Sequence, residues 1–363
     1  TSCGSGGFLL YALNKVRNKA TELYPLYKTD TRQYKHWFSY WHDFAEKNLY
    51  GIEISEQISR AAKMNMIIHD DGHTNVITSD GLVSDEFIIA KTNNHGFKYG
   101  TFDFIITNPP FGSTIRQSEQ AYLKTYQLGK KEEDWLAIAA RPQETRDGQS
   151  TEVLFIEQDY KFLKEGGYLA IVLPDGILTN STMQYVRTQI EDWFRIVAVV
   201  SMPQTAFMAN GAGVKSSVLF LRKWTKKDTE LLINTKKSIE ERLLHDNCYL
   251  TQRQTWDKEI KQKQKEKANE IKGKQNISVT AVKQTEEYKT WNADLLTEYA
   301  NKVDGLKSLL TDEYQQAKQK ELTDYPIFMA IAESIGYDAT GKKTSVNELD
   351  VIGEELKKFI TSL

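Results

Sequence analysis

The chain has 363 residues, of which 40% are hydrophobic, and its formal net charge is −2 at pH 7. This length suits one large domain with an appendage, or two domains, and the apolar fraction is enough to bury a core. Because the chain is no polycation, any contact with nucleic acid has to come from a local basic surface or a partner. The two cysteines and the lack of an apolar run near the roughly 20 residues of a membrane span predict a cytoplasmic protein without membrane contact.

Strand-like and helix-like segments alternate over about the first 224 residues. Helical spacing of apolar residues is seen from Ile58 to Met66 and from Ile156 to Leu163. Short apolar runs that predict strands are Leu49–Ile54, Asn75–Thr78, Asp103–Thr107, Tyr168–Leu173, Ile196–Val200 and Ser217–Leu221. The alternation predicts an α/β fold, in which helices cover both faces of a mostly parallel sheet.

The character of the sequence changes after about residue 224. We predict a charged, largely helical insertion over residues 225–320 and a C-terminal helical segment over 321–363, including a short helix from Pro326 to Ile335. Apolar residues at helical spacing form a narrow seam, suited to packing on a partner helix or within the chain. The seam consists of Leu296, Tyr299, Val303, Leu306 and Leu310.

The stretch Asn108-Pro109-Pro110-Phe111 directly follows the predicted strand that ends at Thr107. The Asn oxygen and a proline carbonyl can accept hydrogen bonds from an exocyclic amino group, and the Phe ring can stack on a planar base. Proline brings a fixed φ and no competing N–H, so the acceptors are aimed in advance. This pattern indicates chemistry on the amino group of adenine; the alternative is a surface turn.

Three further features sit where the first strands of an open α/β sheet would end. Glycines in Cys3-Gly4-Ser5-Gly6-Gly7 let the backbone approach a ligand, although a tight turn without a ligand has the same composition. Glu53 is placed to accept hydrogen bonds from two ribose hydroxyls, or else to cap the next helix. Asp80 is placed to accept an exocyclic amine, but Asp80-Gly81 also reads as an ordinary turn.

Other polar segments point less clearly to a function. The run from His69 to His73 contains ligand types for a metal, but it lies where a polar turn is expected, and we predict no metal site. Basic residues in the long stretch 112–150 either hold a DNA backbone near the site or belong to a solvated loop. They are Arg116, Lys124, Lys130, Lys131, Arg141 and Arg146.

These motifs resemble the S-adenosylmethionine-dependent N6-adenine DNA methyltransferases, and among them the modification subunits of type I restriction systems. Cys3–Leu9 is similar to the family's cofactor loop, Tyr50–Ile54 to its ribose-binding strand end, and Asn108–Phe111 to its catalytic motif. Leu173–Leu178 and Gly213–Phe220 are similar to two further family segments. The resemblance covers roughly residues 1–224, and weakly Tyr325–Phe359.

The resemblance implies a Rossmann-like class I methyltransferase domain over residues 1–224, with a mostly parallel seven-stranded sheet. S-adenosyl-L-methionine would be bound by Glu53, Ile54, Asp80 and the loop residues Thr1, Cys3, Gly4, Ser5, Gly6 and Gly7. Asn108, Pro109, Pro110 and Phe111 would be catalytic. No strand precedes the Gly-rich loop, so we expect that the family's first strand and N-terminal helical domain are not included.

The resemblance also implies the reaction and its partners. An adenine in double-stranded DNA would be flipped out and methylated directly on N6, with a specificity subunit reading the sequence and a restriction subunit as a further partner. Two alternatives stay open: methylation of RNA or of protein glutamine, and a catalytically silent scaffold in a DNA-binding complex.

Overall fold

The computed structural model describes residues 1–70, 75–116, 121–131, 134–137, 143–208, 213–275 and 278–363. The chain forms two compact units. The first comprises Thr1–Glu132, Gln143–Thr229 and Pro326–Leu363, and the second comprises Glu133–Pro142 and Glu230–Tyr325. The predicted three-part division of the chain stays a prediction.

The secondary structure of the described residues consists of strands, α-helices and short 3₁₀ turns. The strands are β1 (Tyr50–Glu53), β2 (Asn75–Thr78), β3 (Phe102–Thr107), β4 (Thr114–Arg116), β5 (Gly148–Ser150), β6 (Leu163–Pro174), β7 (Phe194–Ser201), β8 (Ser216–Lys223), β9 (Phe328–Ile331), β10 (Ile335–Tyr337) and β11 (Lys343–Asn347). The α-helices are α1 (Gly7–Leu23), α2 (Thr31–Asn48), α3 (Glu56–Ile68), α4 (Asp85–Thr92), α5 (Thr151–Phe162), α6 (Asp175–Thr179), α7 (Gln184–Trp193), α8 (Lys226–Asp246), α9 (Tyr249–Gln275), α10 (Val279–Val282), α11 (Glu286–Glu321) and α12 (Leu349–Ser362). Short 3₁₀ turns occur at Ala121–Thr125 and Ser181–Met183.

The main sheet has five strands in the order β3-β6-β8-β7-β9. β3 is parallel to β6 and β7 is parallel to β9, whereas β8 is antiparallel to both of its neighbours. The prediction of a mostly parallel, seven-stranded sheet is therefore wrong for the described residues. A parallel connection needs a crossover, usually a helix. The described residues between β7 and β8 contain no α-helix, so the chain returns antiparallel.

A separate parallel pair, β1 and β2, stands beside the main sheet. Tyr50 pairs with Asn75 and Glu53 with Thr78, so both strands end at the same level. Each apolar run that predicted a strand overlaps an observed strand. The local hydrophobic pattern thus located β1–β3 and β6–β8, although it did not give their directions or predict the remaining described strands.

The segment Pro326–Ile335 is not the predicted helix. Its residues Phe328–Ile331 form β9, which extends the main sheet by pairing in parallel with β7. An edge strand presents unpaired N–H and C=O groups, and a further strand satisfies them. The helical part of the C-terminal segment is α12, which follows the small antiparallel pair of β10 and β11.

Helix α5 occupies the centre of the first unit, where every residue except Tyr160 and Lys161 is buried. Val153 and Ile156 belong to the core that contains the inner residues of β6. Leu154 and Phe155 belong to a second apolar cluster with Leu82, Leu123 and Tyr126. The helix is therefore enclosed on several sides, and truncating one of its aliphatic side chains to alanine would cost about 2–5 kcal/mol of stability.

The second unit is helical in its described part. Leu310 on α11 is fully buried with Ile239, Leu243 and Tyr249. Tyr299 is also buried, whereas Leu296 is 45% exposed. The predicted apolar seam thus packs within this unit over most of its length, which favours the intramolecular alternative over a docking surface. Among the described residues, no helix of either unit is long and apolar enough to cross a membrane.

Candidate functional site

The glycine-rich loop immediately precedes α1 and is hydrogen-bonded to β1. The Cys3 N–H donates to the Ile52 carbonyl at 2.8 Å, and the Gly6 N–H donates back to the Cys3 carbonyl at 3.0 Å. Gly4 and Gly6 have φ values of 54° and 85°, a region that glycine enters without steric cost. Because Gly6 precedes α1 and has no side chain to cap it, the first N–H groups of α1 are available to an anion.

Glu53 fixes this loop from the end of β1. One oxygen of its carboxylate accepts the Gly4 N–H at 3.0 Å, and the other accepts the Ser55 N–H at 3.0 Å. The side chain is buried, whereas the neighbouring Ile54 is 69% exposed. A carboxylate has about four lone-pair sites, so two remain for other donors. Ser5 contributes its carbonyl to the amide of Asn65 at 2.9 Å, which ties the loop to α3.

A chain of hydroxyl groups links the same loop to the end of β3. The Ser2 and Thr107 hydroxyls lie 2.8 Å apart, and the Thr1 hydroxyl donates to the Asp159 carboxylate at 2.7 Å. Thr107 immediately precedes Asn108. The glycine-rich loop and the Asn-Pro-Pro-Phe segment, which the sequence presents a hundred residues apart, are therefore held together through side chains.

Asp80 and Gly81 lie against the first residue of the chain. Asp80 accepts the Leu82 N–H at 2.9 Å, as in a turn capped by its own aspartate. A Cβ atom added at Gly81 would come within 2.4 Å of the Thr1 carbonyl, so this position leaves no room for a side chain. The turn alternative for Asp80 is thus present in the structure, at the same strand ends as the other predicted residues.

Asn108 has a buried acceptor that is not satisfied. Its Oδ1 atom is buried and has no hydrogen-bond partner among the described residues. Such a group carries a desolvation cost and calls for an explanation, of which a ligand donor is one. Pro109 beside it is buried and Pro110 is exposed. An amino group brought to Asn108 would restore the missing hydrogen bond.

Phe111 has an aromatic neighbour that the sequence did not suggest. The ring of Phe207 meets it edge to face, with centroids 6.3 Å apart and an angle of 88° between the planes. Both side chains are half-buried. The pair offers one ring face and one ring edge to a flat molecule. Phe207 lies in the loop after β7, where a lone aromatic residue gives no periodic signal.

Thr151 holds the segment that carries Phe111. Its hydroxyl donates to the Pro110 carbonyl at 2.9 Å, and its N–H donates to the Ser113 carbonyl at 2.9 Å. Thr151 is the first residue of α5, so the buried helix positions the loop on either side of Phe111. The sequence carries no signal for this role, because a threonine at a helix start usually reads as a local cap.

The predicted basic loop contains side chains that are already engaged. Lys131 forms an ion pair with Glu144 at 2.6 Å, and the Arg146 guanidinium lies 3.8 Å from the ring centroid of Tyr185. Arg141 lies outside the described residues. Its role as a DNA contact stays a prediction, as does that of the whole stretch 112–150.

Cys3 is poorly suited to act as a nucleophile. Burial, together with the negative charge of Glu53, raises the pKa of its thiol to about 11. Only the thiolate attacks electrophiles, and at neutral pH this thiol stays protonated. Its Sγ atom lies against Gly51, where an added Cβ would approach it to 3.0 Å. Cys3 therefore fills space between the loop and β1.

Potential metal ligands on α2 lie away from these residues, whereas an apolar cleft shares Thr1 with them. Within the described ranges, His42, Asp43 and Glu46 on α2 could bring ligand atoms within 4.8 Å of one another. Part of the run His69–His73 falls outside those ranges.

A cleft of about 590 Å³ lies between β1 and β3, lined mostly by apolar residues, and does not include Glu53, Asp80, Asn108 or Phe111. We place the chemistry at the strand ends, where polar groups converge, and regard this cleft as the gap between two strands that do not pair.

Residues 1–301 match the family model described as N-6 DNA methylase. The chain belongs to the N-6 DNA methylase family. The match includes the glycine-rich loop, Glu53, Asp80 and the Asn-Pro-Pro-Phe segment of this family member.

Several individual proteins are similar to this family member. The type II restriction enzyme and methyltransferase RM.BcgI of Heyndrickxia coagulans is 24% identical over 61% of this chain and 27% of that protein. The type I restriction enzyme EcoEI methylase subunit of Escherichia coli is 23% identical over 61% of this chain and 37% of that protein. The matched region thus spans well under half the length of either relative. A solved structure, the type I restriction enzyme EcoKI M protein, is 21% identical with a TM-score of 0.40, over 62% of this chain and 39% of that one.

Replacing Thr151 by valine tests its hold on the loop. The change removes the hydroxyl that donates to the Pro110 carbonyl and keeps the side-chain shape. We expect a loss of about 1 kcal/mol in the free energy of unfolding, together with faster amide exchange in residues 112–113. Thr151→Ser retains the hydroxyl but loses a buried methyl group, so it should lose some stability while keeping wild-type amide exchange at residues 112–113. Equal exchange in the valine and serine variants would contradict this role.

Asp159 makes stability depend on pH. Burial raises the pKa of this carboxyl to about 6, and its Oδ2 atom has no partner among the described residues. Because the pKa of this carboxyl is higher in the folded than in the unfolded state, protonation favours the folded state. This contribution to the free energy of unfolding is complete below the unfolded-state pKa and is lost as the pH rises through about 6. Asp159→Asn should remove this loss and raise the free energy of unfolding at pH 8 by about 2 kcal/mol. The free energy of unfolding should be measured with denaturant from pH 4 to 8, and Asp304→Asn, at an exposed position, is the control. If stability depends on pH in the same way for the wild type and Asp159→Asn, this role of Asp159 is disproved.

Proposed function

We propose that the protein is the modification subunit of a type I restriction-modification system, and that it transfers a methyl group from S-adenosyl-L-methionine to N6 of adenine in DNA. The observation that carries the proposal is the unsatisfied Oδ1 of Asn108, next to a strand end that is bonded to the glycine-rich loop. Membership of the N-6 DNA methylase family supports the reaction class. The similarity to the EcoEI protein, which is a methylase subunit of a type I restriction enzyme, supports the assignment to a type I system.

The residues at the strand ends fit the parts of S-adenosyl-L-methionine. The open N–H groups at the start of α1, with Thr1 and Cys3–Gly7, suit its carboxylate. Glu53 has lone pairs left to accept ribose hydroxyls, and Ile54 is exposed beside it. Asp80 would accept the adenine amine; it precedes Gly81, which lies against the Thr1 carbonyl at the same strand ends. The cofactor supplies an electrophilic methyl group on a sulfonium; the chain supplies position.

The target adenine is held by the other half of the site. Asn108 Oδ1 and the Pro109 carbonyl would accept the two N6 hydrogens, because the Pro110 carbonyl already accepts a hydrogen bond from Thr151. Hydrogen bonds from both N6 hydrogens would turn the nitrogen lone pair toward the methyl group. The N6–methyl bond would then form as the sulfonium–methyl bond breaks, the cofactor would leave as a neutral thioether, and one N6 proton would be released to water. Transfer can therefore be direct, and positioning provides most of the rate.

Flipping the base out of the duplex costs a few kcal/mol. Stacking on Phe111, with Phe207 at the edge, offsets about 1–3 kcal/mol of it. The proposal also gives the chain its partners, namely double-stranded DNA, a specificity subunit that reads the sequence and a restriction subunit. The overall charge of −2 is in keeping with sequence reading by another subunit.

Asn108→Ala tests the assignment of the catalytic acceptor. Methyl transfer should fall at least about 100-fold, as when a single preorganised polar group is removed from an active site. Binding of S-adenosyl-L-methionine, measured by calorimetry, should stay within about threefold, since Asn108 contacts only the target base in this proposal. The control is Asn301→Ala, at an exposed position of α11.

Transfer of tritiated methyl groups should be measured on DNA, on RNA and on protein in parallel, with specificity subunit present. Incorporation into DNA alone supports the proposal, whereas incorporation into RNA or into glutamine of a protein would replace the substrate. Full activity of Asn108→Ala on DNA would refute the role of Asn108. Wild-type protein that binds no cofactor would refute the enzymatic function.

A further inference from the structure

Helix α9 in the second unit carries lysines on one face that the proposed catalytic function does not use. They are Lys258, Lys261, Lys265 and Lys272, and all four are exposed. At 3.6 residues per turn, they fall within a sector of about 60° around the helix axis. We call this face the lysine stripe. The exposed Gln254 and Asn269 border the same sector, so its other side chains are neutral amides.

The lysine stripe differs from the other lysines of α9 in having no internal partner. Lys267 forms ion pairs with Glu270 at 3.1 Å and with Glu287 at 3.5 Å, and Lys274 pairs with Glu270 at 2.6 Å. Lys263 lies 5.0 Å from the ring centroid of Tyr299. Within the described part of the second unit, none of the four stripe lysines forms an ion pair or hydrogen bond.

The like charges of the stripe destabilise the helix rather than stabilise it. Lys261 and Lys265 are like charges at i and i+4, an arrangement that destabilises a helix. The glutamates of α9, at 259, 266 and 270, lie on another side of the helix axis. Asp257 stands one turn before Lys261 at the border of the stripe, and no ion pair among the described residues joins the two. The stripe is therefore a local patch of positive charge in a chain whose formal net charge is −2.

A polyanion with regularly spaced charges fits this pattern better than a single anion does. With a rise of 1.5 Å per residue, Lys258 and Lys272 are about 21 Å apart along the helix. Duplex DNA carries one phosphate per strand for every 3.4 Å of its axis, so this length corresponds to about six phosphates of each strand, some of which face one side of the duplex. Lysine suits such contacts because its ammonium acts as a point charge on a flexible stem.

We propose that the lysine stripe binds the phosphate backbone of double-stranded DNA. The inference rests on the proposed function, in that DNA is the substrate, and adds a contact surface that lies in the second unit. Phosphate contacts carry no sequence information and set affinity and orientation. The stripe therefore contributes binding that is the same for every DNA sequence and that weakens steeply as salt rises.

The test compares two triple variants of the full chain with the same change of formal charge. Lys258, Lys261 and Lys265→Gln removes part of the stripe, whereas Lys263, Lys267 and Lys274→Gln removes the partnered lysines of the same helix. Glutamine keeps helix propensity, and circular dichroism checks that both variants fold. Binding to a fluorescein-labelled 30-base-pair duplex of arbitrary sequence is measured by anisotropy over a series of KCl concentrations.

The stripe variant should lower the slope of log Kobs against log salt by about 2–3, since each phosphate contact contributes about 0.9. The control variant should change the slope by less than about 0.5, well below the effect of one phosphate contact. If both variants lower the slope by the same amount, the loss of net charge explains the result and the proposal is overturned. So would binding of the stripe to vesicles of phosphatidylserine and phosphatidylcholine while the DNA slope stays unchanged.

Methyl transfer, measured separately on the same proteins, separates the two proposals. If the wild type methylates DNA but the salt slope of DNA binding is unchanged in the stripe variant, the inference is overturned and the proposed function stands. A reduced slope in the stripe variant, without methyl transfer by the wild type, supports the inference and removes the function. Asn108→Ala should keep the wild-type slope, because Asn108 contacts no phosphate in the proposed complex.

Discussion

The polar side chains of α5 hold the loops of the site in place. Thr151 at its start bonds the loop around Phe111, and Asp159 near its end accepts from Thr1 of the glycine-rich loop. Between them, Glu157 accepts the N–H groups of Gln127 and Leu128. Gln158 accepts the Tyr126 hydroxyl at 2.7 Å and donates to the Val83 carbonyl at 2.8 Å. One helix thus bonds to loops from four parts of the chain.

These contacts are strong because they are buried. In an interior of low dielectric constant, a satisfied hydrogen bond stabilises more than it does in water, and an unsatisfied group costs more. Glu157 and Gln158 have their partners, whereas Asp159 keeps one oxygen without a partner among the described residues. The raised pKa of Asp159 is the consequence. The same reasoning applies to Asn108, whose buried oxygen is oriented in advance of any ligand.

The proposed reaction divides the work between two kinds of element. Backbone groups of the glycine-rich loop and the carboxylate of Glu53 suit a cofactor, and they are fixed to β1 and to each other. Asn108 and Phe111 suit the base, and they are fixed to β3 and α5. The hydroxyl pair of Ser2 and Thr107 joins the two halves. The lysine stripe adds affinity from a separate unit and takes no part in the chemistry.

The positions of six strands (β1–β3 and β6–β8) and the local motifs could be predicted from the amino-acid sequence alone. A run such as Tyr168–Leu173 forms a strand because most of its apolar side chains are buried in the core, and a glycine loop or Asn-Pro-Pro-Phe is defined by neighbouring residues. Strand direction was decided only in the tertiary structure, where the return from β7 runs antiparallel and the open edge of β7 turns Phe328–Ile331 into a strand. Thr151, Asp159 and Phe207 were also found only there. Their partners lie far away in sequence, up to 158 residues for Thr1 and Asp159, and no local pattern encodes a contact between such distant positions.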